Sequence, residues 1–181
     1  MFVGTGFGEF YAGAALAGDM RVDWWPWLLD GCGPDGGPPV DLGDSVLDLG
    51  PGASVQLPAE RVPAAHPSAL PEGGDPTALP WPDGTFSAVC AVLALHHLPD
   101  DGHQDAALAE CARVLRPGGM LVGLNPIDGP HFRSLDLERR CRAIDPLTFS
   151  TRLRAAGFAT AVVRVWSLVA FRAATAAEGH R

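Results

Sequence analysis

The sequence contains no lysine and few charged side chains of either sign. Of its 181 residues 19% are charged, and 13 Arg stand against 21 Asp and Glu, for a formal net charge of −8. Nucleic acids and anionic membrane surfaces select Lys/Arg patches, which this balance does not supply. We therefore expect neither a nucleic acid nor a membrane among the partners.

Long apolar runs and an export pattern are also missing. The longest clean apolar stretch covers only 88–95, and the first basic residue is Arg21, so no basic segment precedes an apolar core near the first residue. The sequence thus predicts neither a membrane span nor an export signal. This favours a cytoplasmic location.

Cysteines are few, and they show no metal-binding or redox spacing. The four lie far apart and without a Cys-x-x-Cys pair, at Cys32, Cys90, Cys111 and Cys141. A histidine-containing run follows at 96–103, but its spacing fixes no tetrahedral or octahedral ligand set. We expect no metal.

The length fits one compact domain. Composition divides it into an N-terminal helical and aromatic cap (1–44), a core (45–172) and a flexible tail (173–181). Within the cap we predict two short helices, over 9–17 and 22–30. Prolines recur through 53–85, so regular structure there must be short and broken.

Strand and helix patterns alternate through the core. Apolar runs predict strands, and apolar residues at helical spacing between capping residues predict helices, with Glu110 and Arg113 on the outer face of the first helix. The predicted strands are 45–49, 86–95, 120–125, 160–165 and 167–172, and the predicted helices are 103–116 and 145–157. This order predicts an α/β fold with a doubly wound, mostly parallel sheet and an antiparallel C-terminal edge. Ligands of such sheets bind beyond the carboxyl ends of the strands.

Three segments together resemble a known family. They are VLDLGPG at 46–52, LPWPDGTFSAV continuing to LHHL at 79–98, and ExxRVLRPGGMLV at 110–122. In this order and spacing they resemble the class I S-adenosylmethionine-dependent methyltransferases, in the branch that includes ubiquinone and menaquinone biosynthesis. The resemblance covers about 45–172. It implies a Rossmann-like fold, S-adenosylmethionine as cofactor and a small molecule as methyl acceptor.

The resemblance also implies a set of cofactor-binding residues. Gly50 and Gly52 let the backbone turn sharply beside the ligand, Asp48 receives its ammonium group, and Asp75 accepts a hydrogen bond from the adenine amino group. Leu95, at the end of the next strand, completes the set. Each of these residues also has an alternative explanation that needs no cofactor. Gly50 and Gly52 can simply be turn residues, Asp48 can cap a helix, and Asp75 can form an Asx turn.

His96 and His97 follow the predicted strand 86–95 and are the candidate catalytic residues. An imidazole with a pKa near 6.5 can take a proton from a nucleophile at neutral pH. Alternation along a strand points the two side chains to opposite faces, so only one is expected to reach the pocket. The alternative is that they are spacers without a catalytic role.

The substrate is expected between the N-terminal cap and the insertion after the strand 120–125. In the family the N-terminal helices fold over the substrate, and the other wall follows this strand. The candidate pocket residues are Tyr11, Trp24, Asn125, His131 and Phe132.

The chain departs from the family between the first two motifs. The stretch 53–74 is too short for the two helix–strand units that the family places there, since one crossover needs about 10–12 residues. The sheet is therefore shortened on the side of its second and third strands, and no ribose-binding carboxylate can be assigned. Pro51 and Ser87 also depart from the motifs. Loss of a helix–strand unit exposes an edge of the first strand unless the proline-rich segment or a second subunit covers it. We expect a homodimer over that edge.

Three functions remain open. The first is a small-molecule methyltransferase using S-adenosylmethionine. The second is a methyltransferase-fold protein that has lost methyl transfer and acts as a cyclase or isomerase in small-molecule biosynthesis. The third is a non-catalytic subunit of a partner enzyme.

Overall fold

The computed structural model describes residues 25–30, 39–50, 67–71, 73–129, 132–133, 141–165 and 168–178. Within these residues the helices are α1 (Trp25–Asp30), α2 (Asp101–Val114) and α3 (Pro146–Ala155). The strands are β1 (Val46–Asp48), β2 (Pro67–Ala69), β3 (Phe86–Val92), β4 (Leu115–Pro126), β5 (Thr160–Val165) and β6 (Leu168–Ala174), and a one-turn 3-10 helix spans Leu95–His97. The predicted helix 9–17 lies outside the described residues.

The strands form one mixed sheet in the order β2-β1-β3-β4-β6-β5. The first four run parallel, with Val46 opposite Ala88 and Val92 opposite Leu124. β6 is antiparallel to both β4 and β5. This arrangement confirms the predicted Rossmann-like α/β class with an antiparallel C-terminal edge.

Both faces of the sheet are covered. On one face, α2 and α3 supply Leu108 and Phe149 to a core that also contains Val89. On the other face, Leu28 of α1 packs in a core with Val122. A strand that is buried on both faces must be apolar throughout, which explains why every residue of β3 except Ser87 is buried.

The proline-rich segment covers the edge of β1. β2 pairs with β1 in parallel, and the Leu70 N–H donates to the Asp48 carbonyl at 3.0 Å. Proline is tolerated at the first position of an edge strand, which is where Pro67 lies. Of the two covers that the sequence left open for the β1 edge, the structure shows the proline-rich segment. The homodimer itself stays a prediction.

The boundaries of several elements differ from those predicted. β3 ends at Val92 rather than at 95, and β4 begins at Leu115 rather than at 120, with a register shift between Phe86 and Ala88. β6 continues to Ala174, into the predicted tail. The caps of α3 are as predicted, since Asp145 accepts from the Leu147 N–H and Gly157 has φ +109°. No helix in the described part of the chain is long and apolar enough to cross a bilayer.

Candidate functional site

The segment at 141–145 packs against the carboxyl ends of the parallel strands, and this end of the sheet is called the carboxyl-end edge. The segment at 141–145 is held there by a parallel bridge between Ile127 and Ile144 and by the Arg142 N–H, which donates to the His96 carbonyl at 2.7 Å. The segments after β3 and β4 therefore share this edge with residues from far along the sequence.

Asp48 and Gly50 form a tight turn at the end of β1. The Gly50 N–H donates to Asp48 Oδ1 at 2.8 Å, and a Cβ on Gly50 would lie only 3.0 Å from that oxygen. Burial raises the pKa of Asp48, against the opposing effect of the Gly50 hydrogen bond. A partly desolvated carboxylate gains from a nearby cation, so this turn suits a ligand ammonium group. Gly52 lies outside the described residues.

Asp75 forms an exposed turn. Its Oδ1 accepts hydrogen bonds from the N–H and the hydroxyl of Thr77, at 2.8 and 2.7 Å. These bonds, the hydroxyl first, lower the pKa of Asp75. The Asx turn left open from the sequence is therefore present, and the adenine contact stays a prediction.

Leu95 is a core residue. Its side chain is buried in the cluster that contains Leu108 and Ile144, and its carbonyl accepts from Gln104 Nε2 at 3.3 Å. Gln104 also donates to the Arg142 carbonyl at 2.9 Å. One buried amide therefore fixes the segment after β3 against the segment at 141–145.

His96 and His97 lie side by side, and the prediction that they point to opposite faces is wrong. β3 stops before them, and Leu93 has φ +51°, a left-handed conformation that is rare and strained for a bulky residue. The chain then enters the 3-10 turn, where the two rings lie 4.0 Å apart between centroids and tilt by 37°. The strand periodicity therefore does not apply to these residues.

Asn125 positions His96 from inside the core. The Asn125 Nδ2 donates to the Ala91 carbonyl at 2.9 Å, so its Oδ1 faces His96, where it lies 3.3 Å from both the backbone nitrogen and Nδ1. Asn125 and His96 are both fully buried. Asn125 was predicted to line the substrate pocket, and the structure gives it this supporting position instead.

Burial weakens both histidines as bases. It lowers the pKa of His96 to about 3, with a smaller contribution from the neighbouring His97, and it also lowers the pKa of His97. A general base works best when its pKa lies near the operating pH. Burial therefore makes both imidazoles weaker bases than a solvent-exposed histidine.

A cavity of about 710 Å³ opens beside this edge. Its lining combines apolar side chains with two arginines and two aspartates: Pro99, Ile127, Asp128, Phe132, Arg133, Cys141, Arg142, Ala143, Ile144, Asp145 and Pro146. Arg133 pairs with Asp128 through two bonds of 2.8 Å at the exposed rim. A cavity of this volume, lined by both apolar and charged side chains, can hold a small molecule. Phe132 lines this cavity, and its contact with a substrate stays a prediction, whereas Tyr11, Trp24 and His131 lie outside the described residues.

Cys141 joins the two histidines, which the sequence did not indicate. One ligating atom from each of His96, His97 and Cys141 lies within 4.8 Å of the others, and Cys141 Sγ is 4.0 Å from His97 Nδ1. Spacing could not reveal this group, because the cysteine follows the histidines only after α2 and β4.

Glu110 and Arg113 clamp the loop before β3 onto α2. Arg113 donates to both Glu110 oxygens at 2.7 Å and to the carbonyls of Leu79 and Trp81, while Glu110 accepts from the Leu79 N–H. Arg113 also pairs with Asp83. The helical pattern placed Glu110 and Arg113 of the third motif on the outer face of α2. In the structure these two side chains bind the second motif and so have a structural role.

Ser87 has a local structural role as well. Its hydroxyl lies 2.6 Å from the Leu42 carbonyl and 2.8 Å from that of Ser45, and it accepts from the Ser45 N–H. This departure from the family pattern fastens the chain before β1 to the start of β3, away from the carboxyl-end site.

Known proteins match both the sequence and the fold. Residues 47–123 match the family model of a methyltransferase domain. The chain is 32% identical over 109 residues to 27-O-demethylrifamycin SV methyltransferase of Amycolatopsis mediterranei, covering 46% of this chain and 39% of that protein. It is 38% identical over 85 residues to demethylmenaquinone methyltransferase of Streptomyces avermitilis, covering 45% and 35%. The matched part is thus well under half the length of these relatives.

Solved structures share the fold at low identity. A SAM-dependent methyltransferase of Methanosarcina mazei superposes with a TM-score of 0.56 at 13% identity, covering 77% of this chain and 95% of that one. The [4+2]-cyclase SpnF superposes with a TM-score of 0.51 at 17% identity, covering 76% of each. These likenesses support the fold.

Proposed function

We propose that this chain is a class I S-adenosylmethionine-dependent methyltransferase that binds S-adenosylmethionine and methylates a small molecule, because residues 47–123 match the family model of a methyltransferase domain. The observation that carries the proposal is the turn at the end of β1. There the half-buried Asp48 carboxylate and Gly50 lie at the same sheet edge as the cavity. Both relatives are named as methyltransferases of small molecules, which supports the acceptor class.

The described residues fit the amino-acid end of the cofactor. Asp48 can receive its ammonium group, and Gly50 carries no side chain that would fill the turn. When bound, S-adenosylmethionine supplies an electrophilic methyl group. At the ribose end, β2 is followed by Leu70, Pro71 and Glu72, and Glu72 lies outside the described residues.

The chain's own contribution to transfer is alignment. Methyl transfer needs the acceptor atom held in line with the sulfonium, and positioning alone can supply much of the rate. The apolar cavity wall formed by Ile127, Phe132 and Ile144 can hold the body of the acceptor and exclude water. The lowered pKa values of His96 and His97 make them poor bases, so the proposal assigns them no proton transfer.

Calorimetric titration with S-adenosylhomocysteine tests this proposal. We expect one site per chain, weakened about tenfold or more in Asp48→Asn because a charge-assisted hydrogen bond is lost. The matched control is Asp83→Asn, an exposed aspartate that precedes β3 at the opposite end of the sheet. Absence of binding up to millimolar ligand, or equal weakening by both variants, would overturn the proposal.

A second function keeps the fold without methyl transfer. The fold that the chain shares with a [4+2]-cyclase is compatible with it. In that case the cavity would hold a biosynthetic intermediate for cyclisation or isomerisation. Mass spectrometry of ligands that co-purify separates the two. A small organic molecule without any adenosyl compound favours the second function, and no ligand together with a stable partner protein favours a non-catalytic subunit.

A further inference from the structure

The cluster of His96, His97 and Cys141 lies at the carboxyl-end edge but has no part in the proposed methyl transfer. Its three ligating atoms come from a 3-10 turn and from the segment after β4, and all lie within 4.8 Å of one another. The Arg142 N–H bond to the His96 carbonyl holds the two segments together. Convergence of two imidazoles and a thiol from separate segments is the ligand chemistry that zinc prefers.

The distances within the cluster are close to those of a coordination sphere. Zinc bonds of about 2.3 Å to sulfur and about 2.0–2.1 Å to nitrogen place tetrahedral N and S ligands roughly 3.5 Å apart. Cys141 Sγ and His97 Nδ1 are 4.0 Å apart, so a small side-chain rotation brings them to that spacing.

Asn125 lies where it can accept a hydrogen bond from a metal-binding histidine and so orient its ring. Because its Nδ2 donates to the Ala91 carbonyl, its Oδ1 must accept from His96 Nδ1–H, and Nε2 of His96 is then the nitrogen with the lone pair. Histidines that bind metals usually donate their second ring N–H to such a group.

We propose that His96, His97 and Cys141 bind one divalent metal ion of the zinc class. Three protein ligands leave a fourth position, as in catalytic zinc sites. Cys141 also lines the 710 Å³ cavity, from which a water or an oxygen or nitrogen atom of a bound small molecule can reach the metal. Binding converts the Cys141 thiol to a thiolate and releases its proton to solvent.

Cobalt substitution tests the proposal without any need for methyl transfer. The full chain, stripped with chelator, is titrated with Co²⁺ and then with Zn²⁺. We expect a thiolate-to-cobalt charge-transfer band that saturates at one equivalent and disappears when zinc displaces cobalt. The band is lost in Cys141→Ser and weakened in His97→Gln. The matched control His103→Gln keeps it, because His103 is exposed on α2 and pairs with Asp100.

Alkylation of the unmodified sequence gives a second readout if a variant fails to fold. Cys90 and Cys111 are fully buried, and burial raises the pKa of both thiols, that of Cys111 to about 12, so they stay unreactive in the native protein. Cys141 lines the cavity, and zinc is expected to slow its reaction with iodoacetamide several-fold, as read by peptide mapping. An unchanged Cys141 rate with zinc, or a charge-transfer band that survives in both site variants, would overturn the proposal.

Discussion

Asn125 holds His96 in one orientation and one tautomer. The amide donates to the Ala91 carbonyl on β3 and presents its oxygen 3.3 Å from His96 Nδ1. Both side chains are fully buried, where an unpaired polar group is costly. The end of β4 thereby sets the conformation of the turn that follows β3.

Replacing Asn125 by leucine is expected to destabilise the protein by about 3 kcal/mol. The change leaves the Ala91 carbonyl and the His96 donors without this partner in the core, and each such loss costs about 1–3 kcal/mol. Urea denaturation measures the effect. Thr148→Val serves as control, since it removes one exposed hydrogen bond to Asp145 and should cost less than about 1 kcal/mol. Similar losses in the two variants would contradict the role given to Asn125.

Substitutions at two glycines with a left-handed backbone conformation distinguish the cost of conformational strain from the cost of steric overlap. Gly43 has φ +70°, and an added Cβ would lie 2.5 Å from the Ser87 Cβ, whereas Gly73 has φ +75° and nothing within 4 Å. Gly73→Ala is therefore expected to cost about 1 kcal/mol from strain alone. Gly43→Ala adds an overlap worth about 1–3 kcal/mol more. Equal melting temperatures for the two variants would show that the Ser87 contact is absent.

The Arg113–Glu110 clamp predicts an acid-dependent loss of stability. The hydrogen bond from Arg113 is the main cause that lowers the pKa of Glu110 below its ordinary value of 4.5. A carboxylate with a lowered folded-state pKa stabilises the fold fully above its unfolded value, and this contribution is lost as pH falls below 4.5 through the folded value. The stability gap between wild type and Glu110→Gln should therefore be constant near neutral pH and shrink below about pH 4.5.

The control for this experiment is Glu178→Gln, the same substitution at an exposed residue that follows β6. Its stability curve should run parallel to that of the wild type across the same pH range. If the difference in unfolding free energy between wild type and Glu110→Gln does not change with pH, the hydrogen bond between Arg113 and Glu110 does not form in solution.

Gln104 is expected to control the mobility of the segment at 141–144. It donates to the carbonyls of Leu95 and Arg142 and accepts from Arg152 at 3.0 Å. Gln104→Leu removes all three bonds and should cost about 2–3 kcal/mol, with faster hydrogen exchange at 141–144. Ala109→Leu introduces the same side chain at an exposed position of α2 and should leave this exchange unchanged. If hydrogen exchange at 141–144 is unchanged in Gln104→Leu, Gln104 does not restrict the motion of this segment.

The sheet and its helices followed from local patterns. The apolar run of β3, the Asp145 cap and the Gly157 stop reflect burial and backbone conformation, which single residues report directly. β2 was not predicted, because Pro67–Ala69 is short and carries no strand pattern. Its pairing with β1 depends on tertiary contact with a strand already formed.

The candidate site could be only partly predicted. The β1 turn at Asp48 and Gly50 is local, so a motif located it. The geometry of His96 and His97 depends on the left-handed Leu93, which ends β3 early and which no residue preference indicates. Cys141 reaches the histidines only through the returning segment at 141–145, a long-range contact that local patterns do not contain.

Hydrogen exchange with and without S-adenosylhomocysteine tests most directly whether the end of β1 is the cofactor site. Binding to the Asp48–Gly50 turn is predicted to slow exchange in peptides that span 46–50 and the facing segment 93–97, with no change in β5. Unchanged exchange at 46–50 under saturating ligand, or protection confined to β5 and β6, would contradict a cofactor site at this edge of the sheet.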